Sequence, residues 1–269
     1  MSRPSTARPL AVITGASSGI GADLAREYAR DGHDLVLTAR SEPALQALAA
    51  DIAAAHGVTV TVIPGDLADP AGPGQLLAAI AGRGLSIDVL VNNAGFGDGH
   101  AFVEAEAGRV LGMVQVNVTA LTELMHGVLP AMVARGRGCV LNVASTAAFQ
   151  PGPGMAVYCA TKAYVLSLSE AVAEELSGTG VTVTALCPGP TRTNFMNVAE
   201  VADNALFSKG LVPVMTSAEV ARIGHRAARA GQAVAIAGVL NKVGTLLPRL
   251  VPRVAVRKLT GRLLSAGRH

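Results

Sequence analysis

Apolar residues recur along this chain in short runs, separated by stretches whose apolar positions follow helical spacing. Residues 10–13 form the first run. A glycine-rich turn follows, Thr14-Gly15-Ala16-Ser17-Ser18-Gly19-Ile20-Gly21, and then an amphipathic stretch from 22 to 30. The order is strand, turn, helix. The alternation continues with a strand over 34–39, a helix over 43–56 and a β-branched run over 58–63 that predicts another strand. A helix is expected to begin near Pro70, followed by a strand over 87–91 and a long helix over 104–133. Strands are then expected over 140–144, 181–186 and 233–236, with a helix carrying Tyr158 and Lys162 between the first two. Strands that alternate with helices imply a parallel sheet with right-handed crossovers. The fold class expected is α/β, a Rossmann-type doubly wound parallel sheet in a single domain. Residues 1–237 would be its catalytic part and 238–269 a basic amphipathic C-terminal extension.

Composition narrows the picture. A length of 269 residues with 50% hydrophobic content suffices for one large core. The mean hydropathy of +0.42 comes from alanine, valine and leucine spread over many short segments, so no transmembrane span is predicted. The start of the chain lacks the long apolar core of a signal peptide, and a cytoplasmic location is expected. Cys139, Cys159 and Cys187 are far apart, with no histidine cluster, and read as small buried residues. Neither a metal nor a nucleic-acid partner is expected. The net charge of +3 conceals an asymmetry, because ten of the 22 basic residues and none of the 19 acidic ones lie beyond Glu219.

The glycine turn points to a ligand. Gly15, Gly19 and Gly21 permit a tight turn and close backbone approach, while the following helix offers unpaired N–H groups and a positive dipole end to a pyrophosphate. Ser17, Ser18 and Ile20 belong to the same cradle. At the end of the second strand stands Arg40, where an acidic residue would bind the ribose hydroxyls of NAD and an arginine accommodates the 2′-phosphate of NADP. NADP(H) is therefore expected in preference to NAD(H), with Ser17 and Ser41 as supporting hydroxyls. Asp66, beside Leu67, either accepts a bond from an adenine amino group or caps the next helix.

The candidate chemistry lies in Tyr158-Cys159-Ala160-Thr161-Lys162. Residues four apart on a helix share a face, so the phenol and the ammonium can meet at one reacting atom. An ammonium alongside is expected to bring the phenol's pKa, near ~10 when free, down toward neutrality. Ser145, at the end of an apolar run, would present a hydroxyl at the sheet's carboxyl edge to hold a carbonyl oxygen.

Taken together, Thr14-Gly15-x3-Gly19-x-Gly21, Asn92-Asn93-Ala94-Gly95, Asn117, Ser145, Tyr158-x3-Lys162 and Pro188-Gly189 resemble the short-chain dehydrogenase/reductase family in order and spacing, over about residues 10–237. The resemblance implies a nicotinamide cofactor and a catalytic set of Ser145, Tyr158, Lys162 and Asn117 acting on a small carbonyl compound or alcohol. It further implies that Lys162 binds the nicotinamide ribose and that Asn117 bends its helix and holds a water linking Lys162 to solvent. Asn93, Ala94 and Gly95 would pass near the adenosine ribose, and Pro188, Gly189, Thr191 and Thr193 would cover the nicotinamide amide and pyrophosphate. A homodimer or homotetramer built on the helices carrying Asn117 and Tyr158 is implied as well.

Residues 190–216 read as a substrate lid. Phe195, Met196, Val198, Val201, Leu206, Phe207 and Met215 give it an apolar character that suggests an apolar substrate. The tail from about residue 240 holds Lys242, Arg249, Arg253, Arg257, Lys258, Arg262 and Arg268 among apolar residues, and Pro248 and Pro252 are expected to interrupt its helix. It either packs on protein or rests on an anionic membrane surface. Two non-enzymatic readings remain beside the oxidoreductase: an NADPH-binding regulator and a membrane-surface scaffold.

Overall fold

Seven of the apolar runs become parallel strands of one sheet. The computed structural model describes residues 8–193, 195, 199 and 214–265. Its strands are β1 (Leu10–Thr14), β2 (Asp34–Thr38), β3 (Val60–Val62), β4 (Val89–Asn92), β5 (Gly138–Val143) and β6 (Val181–Cys187), then the short β7 (Thr191–Arg192) and β8 (Met215–Thr216), and β9 (Val234–Ile236). The sheet order is β3-β2-β1-β4-β5-β6-β9, every pairing parallel, while β7 and β8 pair with each other. All five residues of β1 are buried, as expected of a parallel strand covered on both faces. The strand order reverses between β1 and β4, the switch point at which an open parallel sheet offers a ligand crevice at its carboxyl edge.

Helices cover the two faces. One apolar core joins α1 (Gly19–Arg30) and α2 (Glu42–His56) to the sheet through Leu24, Tyr28, Leu45 and Ile52. The opposite core is filled by α3 (Gly72–Ala81), α4 (Ala107–Val114), α5 (Leu121–Arg135) and α6 (Ala156–Glu175), with Ile80, Leu124, Met125 and Val165 fully buried. On the first face α7 (Ser217–Arg229) lies against α1, its start closed by a capping box between Thr216 and Glu219. The chain then runs through α8 (Val239–Leu250) and α9 (Arg253–Ser265).

Several expected boundaries move. Helix α1 starts at Gly19, three residues before the amphipathic pattern, because the glycine turn itself enters the helix behind the extended Ser18. The single helix expected over 104–133 is instead α4 and α5 joined by a π-helical segment, Gln115–Ala120. By length and composition the run Ala107–Arg135 passes for a membrane span. Met113, Asn117, Leu121, Leu124, Met125 and Val128 nevertheless bury one side of it in the protein. Pro248 does not interrupt the tail. It sits in the last turn of α8, where it forgoes only the bond to the carbonyl of exposed Gly244, whereas Pro252 separates α8 from α9.

Candidate active site

The glycine turn after β1 is shaped by close approach. Gly15 has φ +63°, and a Cβ there would come within 2.8 Å of the Ala94 Cα. A Cβ on Gly21 would run into the Gly15 carbonyl and the Asn93 amide. Thr14 and Asn93 tie this turn to the end of β4. The Thr14 hydroxyl accepts from the backbone N–H groups of Asn93 and Ala94, each at 3.0 Å, and Asn93 Nδ2 donates to the carbonyls of Thr14 at 2.9 Å and Gly15 at 3.1 Å. A backbone bond from Ala16 to the Thr38 carbonyl ties the turn to the end of β2, and so to Arg40, which is exposed. The Ser18 side chain makes no capping bond, which leaves the first N–H groups of α1 available to an anion. Ser17 is half-buried beside it. A backbone cradle that side chains would fill, a helix start and a nearby arginine fit a phosphorylated dinucleotide.

Asp66 does not cap α3, whose first turn follows Ala71. Its Oδ1 instead accepts from the Ala68 N–H at 2.9 Å, closing a tight turn ahead of the helix, beside buried Leu67. The loop after β6 folds over the glycine turn. Thr193 lies so near Gly19 that a Cβ there would stand 3.0 Å from its methyl. Thr191 is buried and donates to the Gly189 carbonyl, and the Pro188 carbonyl accepts from Thr146 N–H at 2.9 Å. Of the apolar residues expected in the lid, Phe195 packs by Tyr158, their ring centroids 5.2 Å apart. Met196, Val198, Val201, Leu206 and Phe207 lie outside the described residues.

Ser145, Tyr158 and Lys162 converge at the carboxyl end of β5. Ser145 is extended and its Oγ accepts from the Ala147 N–H at 3.1 Å, fixing the hydroxyl at the start of a short turn. Tyr158 and Lys162 project from the same face of α6 and are both buried. Lys162 Nζ donates to the Val143 carbonyl at 2.7 Å and lies 5.8 Å from the centroid of the Tyr158 ring. Burial pulls the lysine's pKa down to about 8. Burial also raises the Tyr158 phenol well above its ordinary value, while a hydrogen bond with Ser145 acts in the opposite direction. This corrects the expectation for the pair: loss of water is the largest influence on the phenol, and its counterweight is Ser145 rather than Lys162.

Asn117 sits in the π segment, almost wholly buried, and uses its side chain to hold two neighbours. Its Oδ1 accepts from the Phe96 N–H at 3.1 Å, and Nδ2 donates to the Phe96 carbonyl at 3.0 Å and to Thr161 Oγ1 at 3.1 Å. The loop after β4 is thereby clamped to α6, and Gly95 leaves room for Asn117 Oδ1 and Lys162 Nζ to approach. Thr14, quoted in the sequence only as the first residue of the glycine motif, and Thr161 are positioning residues to which sequence reasoning gave no role. Thr161 follows Tyr158 by three positions and so shares its helix face, a signal present in the pattern. A further layer beneath the site is buried and polar: Asn92 Nδ2 donates to Asn142 Oδ1, and Asn142 Nδ2 donates to Ser169 Oγ. Phe96, Ala147, Met155, Val157 and Phe195 pack around the cluster of Met113, Tyr158 and Cys159, giving this end of the crevice an apolar wall.

The description short chain dehydrogenase belongs to the family model that matches residues 9–204. A serine 3-dehydrogenase of Agrobacterium fabrum is 36% identical over 210 residues, covering 76% of this chain and 81% of that protein. A solved short-chain dehydrogenase from Sphingobium yanoikuyae, in complex with NADPH, superposes with a TM-score of 0.79 at 35% identity, covering 91% of this chain and 97% of the other. The bulky-bulky ketone specific alcohol dehydrogenase from Comamonas testosteroni superposes with a TM-score of 0.76 at 32% identity, covering 92% and 96%.

Proposed function

This chain belongs to the short-chain dehydrogenase family and is an oxidoreductase of that type, and from this premise we propose that it is an NADP(H)-dependent carbonyl reductase or alcohol dehydrogenase acting on an apolar substrate. One observation carries the reading most. Tyr158 and Lys162 share a buried helix face beside Ser145, and all three stand at the same sheet edge as the glycine cradle.

The dinucleotide, when bound, supplies the hydride or accepts it. Gly15, Ser17, Ser18, Gly19, Ile20 and Gly21 would hold its pyrophosphate, Arg40 its 2′-phosphate, and Asp66 and Leu67 its adenine. Asn93, Ala94 and Gly95 would flank the adenosine ribose, and Pro188, Gly189, Thr191 and Thr193 the nicotinamide end. Tyr158 gives a proton to the substrate oxygen in reduction and takes it back in oxidation. Ser145 steadies that oxygen by donating to it. Lys162 keeps a positive charge beside the phenol as it loses its proton and binds the nicotinamide ribose, while Asn117 keeps the Phe96 loop and α6 in register around them. The aromatic and aliphatic wall about Tyr158 supports an apolar substrate. Exposed Leu111, Val114 and Tyr164, on the helices flanking Asn117 and Tyr158, support a dimer or tetramer built there.

The test is turnover of a panel of apolar ketones and secondary alcohols with NADPH, NADH and their oxidised forms, followed at the nicotinamide absorbance. NADPH is expected to be preferred, and Arg40→Asp to lose about ten- to a hundred-fold in NADPH affinity, the worth of a charge-assisted hydrogen bond. A wild-type preference for NADH would overturn the assignment of Arg40.

A further inference from the structure

Helix α8 presents an apolar stripe to the outside. Val239, Leu240, Val243, Leu246 and Leu247 are each more than half exposed, and at 100° per residue they fall within an arc of about 120°. Thr245, on the other side of the helix, is buried. Helix α9 continues the pattern in mixed form. Val256 and Thr260 turn inward, whereas Val254, Lys258, Leu259 and Arg262 are exposed. Both helices are anchored to the body beside the crevice. Asn241 donates to the Ala237 carbonyl and fills the space that a side chain on Gly189 would need, and Gly261 of α9 lies against Pro153.

An exposed apolar stripe at this spacing is a contact surface, and charge selects its occupant. Lys242 flanks the stripe on α8, Arg253, Arg257, Lys258 and Arg262 are exposed on α9, and the sequence holds no carboxylate side chain beyond Glu219. A second copy docking face to face through a two-fold axis would set these cations against one another with no acid on either side. An anionic lipid surface meets both demands, taking apolar side chains at its acyl boundary while its headgroups attract the lysines and arginines. We propose that α8 and α9 form a docking face for a membrane surface bearing anionic lipids, on which the protein rests without crossing it.

The experiment is flotation of the full-length protein with vesicles of phosphatidylcholine alone and of phosphatidylcholine mixed with phosphatidylglycerol, at low and high salt. Binding to the phosphatidylglycerol vesicles is expected, weakening as salt rises. Val243→Glu with Leu247→Glu should weaken it at least tenfold, and Lys258→Glu with Arg262→Glu by about fivefold or more for each charge reversed. Because all four side chains are exposed and none belongs to the proposed catalytic or cofactor-binding residues, turnover of a soluble ketone and the thermal midpoint should stay as in the unchanged protein. Absence of flotation on phosphatidylglycerol vesicles at low salt would overturn the proposal. So would flotation that the Val243/Leu247 variant does not weaken, or a fall in oligomer size in that variant with no vesicle binding in the parent, which would assign the stripe to a second copy.

Discussion

Burial disfavours the charged form of both Tyr158 and Lys162. Burial favours the neutral phenol and pulls the neighbouring ammonium down to about 8, so the two groups enter the reaction with opposite handicaps. Tyr158→Phe removes the one transferable proton and leaves the cradle alone. Turnover is expected to fall about a hundred- to ten-thousand-fold with the NADPH dissociation constant little changed, as single-turnover kinetics and fluorescence titration would measure. On the proposed mechanism Lys162 sets the pH dependence. Its pKa is lowered, so the charge is present below about 8 and lost above it, and carbonyl reduction should decline as pH rises through that value. In Lys162→Met the inflection should disappear and the remaining rate should be low throughout. Position and identity of this pair were legible in the sequence, since four-residue spacing on a helix fixes a shared face. The direction of the phenol's shift was not, because it depends on how little water reaches the ring, and no local pattern records that.

At the scale of elements, the departure from sequence expectation is concentrated in the long helix before β5. Apolar periodicity marks the whole stretch as helical but does not distinguish a π segment from an α-helix over six residues, so the interruption at Gln115–Ala120 was invisible to it. Family resemblance pointed to Asn117. What it did not supply was the residue's work as a clamp on Phe96 and Thr161. Asn117→Leu should therefore leave the part-buried Phe96 N–H and carbonyl without their side-chain partner, at a cost of up to about 1–3 kcal/mol for each group so stranded. The expected outcome is a lower urea midpoint together with slower turnover; a midpoint unchanged from the parent would show that the clamp contributes nothing. Strand boundaries show the milder form of the same problem. The β-branched run over 58–63 yields only Val60–Val62, because strand length is set by the neighbour available for pairing, here Leu35, Val36 and Leu37 of β2.

Across the whole molecule, the seam between α1 and α7 makes the fold sensitive to acid. Tyr28 stacks edge-on against both His33 and His225, with ring centroids 5.3 Å and 4.7 Å away. Burial lowers both histidines' pKa values; Asp31 pulls both the other way, and the Arg229 charge adds to the lowering. In the unfolded chain these imidazoles take up protons from about pH 6.5 downward, before the folded ones do. Their contribution to stability is complete above that pH and is lost as pH falls through the lower folded values. Thermal midpoints measured from pH 8 to 5 should drop, and His225→Gln should flatten the slope. The strand order has a consequence for the chain as it leaves the ribosome. β1 pairs with β2 as soon as both are made, but its other edge waits for β4, which arrives only at Val89–Asn92. Until then the nascent sheet presents an unpaired edge on a central strand whose first four residues are apolar, the kind of edge that recruits another chain.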